Sequence, residues 1–122
     1  MGSLHWPNAL TASILAFTFV GKVQAQEIPT TLRQEMPYAE ARQILLDAGW
    51  QATHHSPRRE DGGVVNYLIN DLGYYEVEDC SGTGLGLCLF EFADAYGHRL
   101  SVSTANNDPR SGGPTVYAWW IE

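Results

Sequence analysis

The feature that most constrains this chain is a change of period near residue 74. Upstream, apolar residues recur at threes and fours; downstream they recur at twos. A helix places residues i, i+3 and i+4 on one side, whereas a strand places i and i+2 there, so one element type cannot serve both halves. The order of the halves predicts an α+β domain: two helices followed by a four-stranded antiparallel meander.

In the helical half, Tyr38, Ala41, Ile44, Leu45 and Ala48 fall on one stripe, with Glu40, Gln43 and Asp47 opposite. Pro37 suits a first helical position, where its missing N–H has no partner to lose. Gly49 is expected to end the helix at positive φ, with Trp50 folding back on Leu45. A polar connection from Gln51 to Gly63 follows, with room for a short strand at its start. Val64, Val65, Leu68, Ile69 and Leu72 then predict a second, shorter helix. Asp61 is placed to cap it, and Gly73 with Tyr74 repeats the ending of the first.

In the second half, strands are expected at Tyr75–Cys80, Leu87–Ala93, Arg99–Ala105 and Thr115–Ile121. The breaks between them are rich in glycine, asparagine, aspartate and proline, the residues of tight turns. Phe90, Phe92, Leu100, Val102, Tyr117, Trp119 and Ile121 can share the face that the helices cover.

The beginning of the chain bears on its compartment. Ala9 to Gly21 is an apolar run of 13 residues, short of the roughly 20 that span a bilayer. Val23-Gln24-Ala25 follows, with small residues at the positions a signal peptidase reads, so residues 1–25 are expected to be a cleavable signal peptide. The stretch before the run carries no Lys or Arg, and Lys22 lies beyond it, which departs from the usual pattern. Cleavage after Ala25 leaves 97 residues: a flexible leader, 26–36, and a single domain, 37–122. The product is expected to be periplasmic or secreted, with no membrane insertion after processing. In such an oxidising place Cys80 and Cys88 read as one disulfide. Closing a loop of about nine residues contributes roughly 2.5 kcal/mol by restricting the unfolded chain.

Charge narrows the partners. Six arginines and no lysine remain beside fourteen carboxylates, a net charge near −8. Such a surface repels phosphate backbones and anionic lipid, so no nucleic acid is expected as partner, while a cationic surface would be drawn in.

The residues that could carry chemistry mostly have plainer uses. Gly82, Gly84 and Gly86 form a G-x-G-x-G run, but a phosphate loop needs a helix start after it, and a strand follows here. His54 and His55 are adjacent, so they diverge on any element, and His98 is distant in sequence; no metal site is expected. Glu76 and Glu78 would share a strand face roughly 7 Å apart, the spacing of a glycosidase pair, yet with Asp79 they better fit the blunting of an exposed strand edge. Ser81, Ser101 and Ser103 have no histidine in register. No catalytic residue and no cofactor is assigned. The aromatics offer more. If Trp119 faces the core, alternation puts Trp120 on the other sheet face with Leu89 and Ala118. Trp120, Leu89, Tyr75 and the disulfide-loop residues Gly84 and Leu85 form the expected binding surface.

The pattern Pro37-Tyr-x-x-Ala-Arg42, Gly49-Trp50, Gly73-Tyr74-x-Glu-Val77 and Cys80-Ser-Gly-Thr-Gly84 to Cys88-x-Phe-x-Phe92 resembles small uncharacterised exported bacterial proteins. It covers most of residues 37–92 and implies no activity. The segment MPYAEARQILLDAGWQ is similar to the helix of PASTA modules, which implies binding to cell-wall peptidoglycan, although the disulfide hairpin departs from that module. Two helices before four strands, with a disulfide, is similar to one half of the secreted β-lactamase-inhibitor protein, an analogy of fold. Three functions follow as expectations. The first is a non-catalytic exported binding protein, such as an inhibitor of an exported enzyme; the second is a cell-wall carbohydrate-binding module. The third is a small hydrolase using Glu76 or Glu78.

Overall fold

The computed structural model describes residues 26–55 and 63–122. The expected signal peptide and Asp61 lie outside them. Helix α1 spans Tyr38–Asp47. It starts one residue later than expected: Pro37 is still extended, at ψ 135°, and its carbonyl accepts the N–H groups of Glu40 and Ala41, both at 3.1 Å. The expected stripe is the buried one, with Tyr38, Ala41 and Leu45 sealed and Ile44 and Ala48 packed beside them. Gly49 ends the helix at φ 101°. Its N–H reaches the Leu46 carbonyl at 3.1 Å and that of Trp50 reaches Leu45 at 3.0 Å, which satisfies two of the last carbonyls and drives the indole into the core.

Helix α2 begins at Gly63–Asn66 and widens into a π-helical turn over Tyr67–Asp71. The Leu72 N–H accordingly bonds five residues back, to Tyr67 at 3.3 Å. The wider turn turns two consecutive residues inward, and Leu68 and Ile69 are both buried. Gly73, at φ 76°, ends it, and the Tyr74 N–H folds back on the Leu68 carbonyl at 2.9 Å.

The sheet is antiparallel. Strands β2 (Val77–Cys80), β3 (Cys88–Ala93), β4 (Arg99–Ala105) and β5 (Thr115–Ile121) form the meander in chain order. The expected count of four is one short: β1, Gln51–Ala52, makes a fifth strand. It is the short strand for which the start of the Gln51–Gly63 connection had room, and its pairing joins it to the sheet. Both β1 and β2 pair with β3, and since β4 takes the other side of β3 they share one edge, end to end. Gln51 and Ala52 face Ala93 and Phe92, while Val77 to Cys80 faces Phe90 to Cys88. Glu91 sits at the joint, where its carbonyl accepts the Thr53 N–H at 3.1 Å and its N–H meets the Glu76 carbonyl at 3.0 Å.

Two bulges interrupt the alternation. In β5, Thr104 faces Val116 and Ser103 faces Ala118, which leaves Tyr117 as an extra residue. A bulge resets which side each residue takes. Val116 therefore joins the core, and Tyr117, expected there, is 44% exposed. Ile121 faces Leu100 but ends the strand and stays exposed. The second bulge is in β2, at Glu78.

The segment expected as a flexible leader is instead part of the domain. Leu32 and Met36 are buried. The Glu35 N–H bonds Val116, the Val116 N–H bonds Met36, and the Tyr38 N–H bonds Pro114, all within 2.8 Å. Its polar composition conceals that its backbone closes part of the outer edge of β5. The core then lies between this segment, α1 and α2 on one side and Phe90, Phe92, Leu100, Val102 and Val116 on the other.

Candidate functional site

The sheet face away from the helices is set by alternation. β3 turns Phe90 and Phe92 inward, which leaves Leu89 and Glu91 on the other side; β4 likewise leaves Ser101 and Ser103, and β5 leaves Ala118 and Trp120. Register then assembles cross-strand rows. Thr53, Glu91, Ser101 and Trp120 line up in one, and Leu89, Ser103 and Ala118 in the next. At a strand spacing of about 4.8 Å, Trp120 stands roughly 10 Å from Glu91. The serines are short and buried, whereas Trp120 is 43% exposed. Trp119 points the other way and packs against the core, so the two tryptophans do part across the strand.

Around this row the polar groups hold one another. Arg99 Nη1 donates to Glu91 Oε1 at 2.7 Å. His55 Nε2 lies 3.5 Å from the same oxygen and 3.1 Å from Thr53 Oγ1. That hydroxyl donates to the Glu91 carbonyl at 2.9 Å. Ser101 Oγ donates to Glu122 Oε2. Trp120 is therefore an aromatic plate in a neighbourhood of two carboxylates, a hydroxyl and a guanidinium. Such a plate can receive a cationic side chain over its ring, or an apolar sugar face with hydroxyls directed to the carboxylates.

The expected binding residues are brought together only in part. Trp120 and Leu89 share the face in neighbouring rows. Tyr75 lies beyond the far end of the first row, where its carbonyl accepts the His55 N–H at 2.8 Å and its ring stacks on His54 at 4.9 Å. Gly84 and Leu85 lie in the loop before β3, seven and six residues from Glu91 along the chain. That loop is closed by the Cys80–Cys88 disulfide. Gly84 and Gly86 both take φ 63°, conformations that favour glycine, and the chain enters a strand after them, so they form a turn. Leu85 borders a separate cleft of about 390 Å³, shared with Ser81, Asn106, Asp108 and Ser111. Sequence reasoning missed Glu91, Ser101 and Thr53 as members of the polar row that leads to Trp120, and Arg99, His55 and Glu122 as their partners. The alternation that placed Leu89 also places Glu91 and Ser101; the register that aligns them was not visible.

Glu76 and Glu78 do not share a face, which corrects the expectation for them. Glu76 is fully buried. It accepts Tyr38 Oη at 2.7 Å, Arg42 Nε at 2.6 Å and Arg42 Nη2 at 3.3 Å. Tyr38 stacks on Phe90 at 4.1 Å, and the Arg42 guanidinium lies 5.3 Å from the Tyr74 ring centre. Burial, and then the Glu76 charge, push the Tyr38 hydroxyl well above its ordinary pKa. The hydrogen bond to Glu76 raises that of Arg42. This cluster ties α1 to the start of β2 and leaves Glu76 no open side. Glu78 is exposed at its bulge.

His98 belongs to the turn between β3 and β4. Its Nδ1 lies 2.9 Å from Asp94 Oδ2, and Asp94 also accepts the N–H groups of Tyr96, His98 and Gln26. Burial would raise the Asp94 pKa, but these donors outweigh it and hold it at about 2. Among the described residues no three His, Cys, Asp or Glu are gathered to share a metal ion, and no helix is long and apolar enough to cross a membrane. No family model, no curated protein and no solved structure matches the chain.

Proposed function

We propose that the chain is a non-catalytic exported binding protein, periplasmic or secreted, whose contact surface is the outer sheet face around Trp120. The observation that carries this is Trp120 itself: a large aromatic, 43% exposed, seated on strand β5 rather than on a loop. Anchors of this kind dominate protein interfaces. The acidic surface supports a partner with a basic face, and inhibition of an exported enzyme is the activity such binding gives where it covers a catalytic cleft. The Cys80–Cys88 bond supports the oxidising compartment.

A cell-wall glycan is the second reading. Glu122, exposed two residues from the ring, supplies an acceptor of the kind that sugar hydroxyls need, and the likeness of the first helix to PASTA modules points the same way. Salt separates the two: charge-steered protein association weakens as ionic strength rises, whereas ring stacking hardly responds. The processed protein, used as bait in a periplasmic extract and on purified peptidoglycan, provides the partner. Trp120→Ala is expected to weaken its binding by about 2 kcal/mol or more, with less than about 1 kcal/mol lost in an unfolding titration. A variant that binds like the parent would place the contact elsewhere.

A further inference from the structure

We propose that processing after Ala25 completes the fold, because the freed α-amino group of Gln26 forms an ion pair with the buried Asp94 carboxylate. The proposal rests on the export reading above and adds a defined place for the new N-terminus.

Residues 26 and 27 are held at three points. The Gln26 backbone N–H donates to Asp94 Oδ2 at 3.1 Å. Its side-chain Nε2 donates to the Ala48 carbonyl at the end of α1. The Glu27 carbonyl accepts the Trp50 indole N–H at 3.0 Å. Gly49 leaves room for this: a Cβ there would stand 3.1 Å from Gln26 Oε1. Two of these contacts use backbone groups and one the Gln26 side chain, and together they fix the place of residues 26 and 27.

The site also suits a cation. Asp94 is 7% exposed, its Oδ1 already occupied by the N–H groups of Tyr96 and His98. The last turn of α1 carries no basic residue, so its partly negative end has no countercharge of its own there. His98 is the titratable side chain in contact with Asp94; the next residue, Arg99, is taken by Glu91. In the precursor, Gln26 offers Asp94 a neutral amide. Hydrolysis breaks the Ala25–Gln26 C–N bond; the carbonyl carbon gains the water oxygen, and the nitrogen gains protons to become an ammonium beside the carboxylate.

The sequence supplies a clean test. Residues 26–122 contain no lysine, so the α-amine is the sole primary amine of the processed chain. Protein purified after export is weighed intact, then acetylated with an N-hydroxysuccinimide ester, folded and in denaturant. Expected are a mass beginning at Gln26 and acetylation about ten-fold slower in the folded state, the effect of one unit in amine pKa. The acetylated protein should melt several degrees lower, and Asp94→Asn should label about as fast folded as unfolded. If Asp94→Asn does not fold, the acetylated parent still reads the pair. A mass beginning elsewhere overturns the processing reading and the pair together. A mass lower by one ammonia, from Gln26 cyclised on its own side chain, overturns the pair, as does a correct mass with equal labelling in both states.

Discussion

Glu76 and Glu91 are joined by one backbone hydrogen bond, and each holds an arginine, yet they serve opposite sides of the sheet. On the helix side, Glu76 is sealed under α1 with Arg42 and the Tyr38 hydroxyl. On the other side, Glu91 holds Arg99, whose side chain is 54% exposed. The same pair of groups thus has two physical meanings. Away from water, a lost partner leaves a charge that nothing solvates; near water, the solvent replaces it. The first pair fastens a helix, and the second, although Glu91 itself is largely covered, leaves the Arg99 charge within reach of another molecule.

The largest test of that contrast is Glu76→Ala. It orphans Arg42 and the Tyr38 hydroxyl and should cost about 3–5 kcal/mol in a denaturant titration. Adding Arg42→Met should restore part of the loss, which marks the stranded charge as its source. A cost below about 1 kcal/mol would erase the distinction between the faces. Next in size is the disulfide, which clamps the same β2–β3 pair beyond both glutamates. Cys80→Ser with Cys88→Ser should cost roughly 2.5 kcal/mol, and thiol titration of the unreduced parent should find neither of these cysteines free. The smallest effect belongs to Glu91→Gln. It keeps an acceptor for Arg99 and should change stability by less than about 1 kcal/mol, while the salt dependence of partner binding should flatten. A stability loss as large as that of Glu76→Ala would make the outer face structural.

What could be read from the chain follows the range of the interactions. The stripe of α1 and the glycine-aromatic endings at Gly49-Trp50 and Gly73-Tyr74 depend on neighbours within six residues, and they appear as expected. Alternation in β3 and β4 is equally local, which is why Phe90, Phe92, Leu100 and Val102 were placed correctly. The Glu76–Arg42 pair spans 34 residues, and no local pattern announces it. β1 is a strand only because β3 lies beside it, and Tyr117 left its expected face at one bulge. The site divides in the same way: the faces of Trp120, Leu89, Glu91 and Ser101 follow from period two, whereas the alignment of Glu91, Ser101 and Trp120 in one row with Thr53 comes only through register.

The end-to-end placement of β1 and β2 has a consequence for how this fold can change over generations. Both run in the same direction along one edge of β3, so they amount to a single long strand interrupted after Thr53 and resumed at Glu76. Everything between, α2 included, is an excursion that leaves the edge and returns to it. Its length sets neither the pairing before the departure nor the pairing after the return. The excursion can therefore change in length while the outer row from Thr53 to Trp120 stays in step.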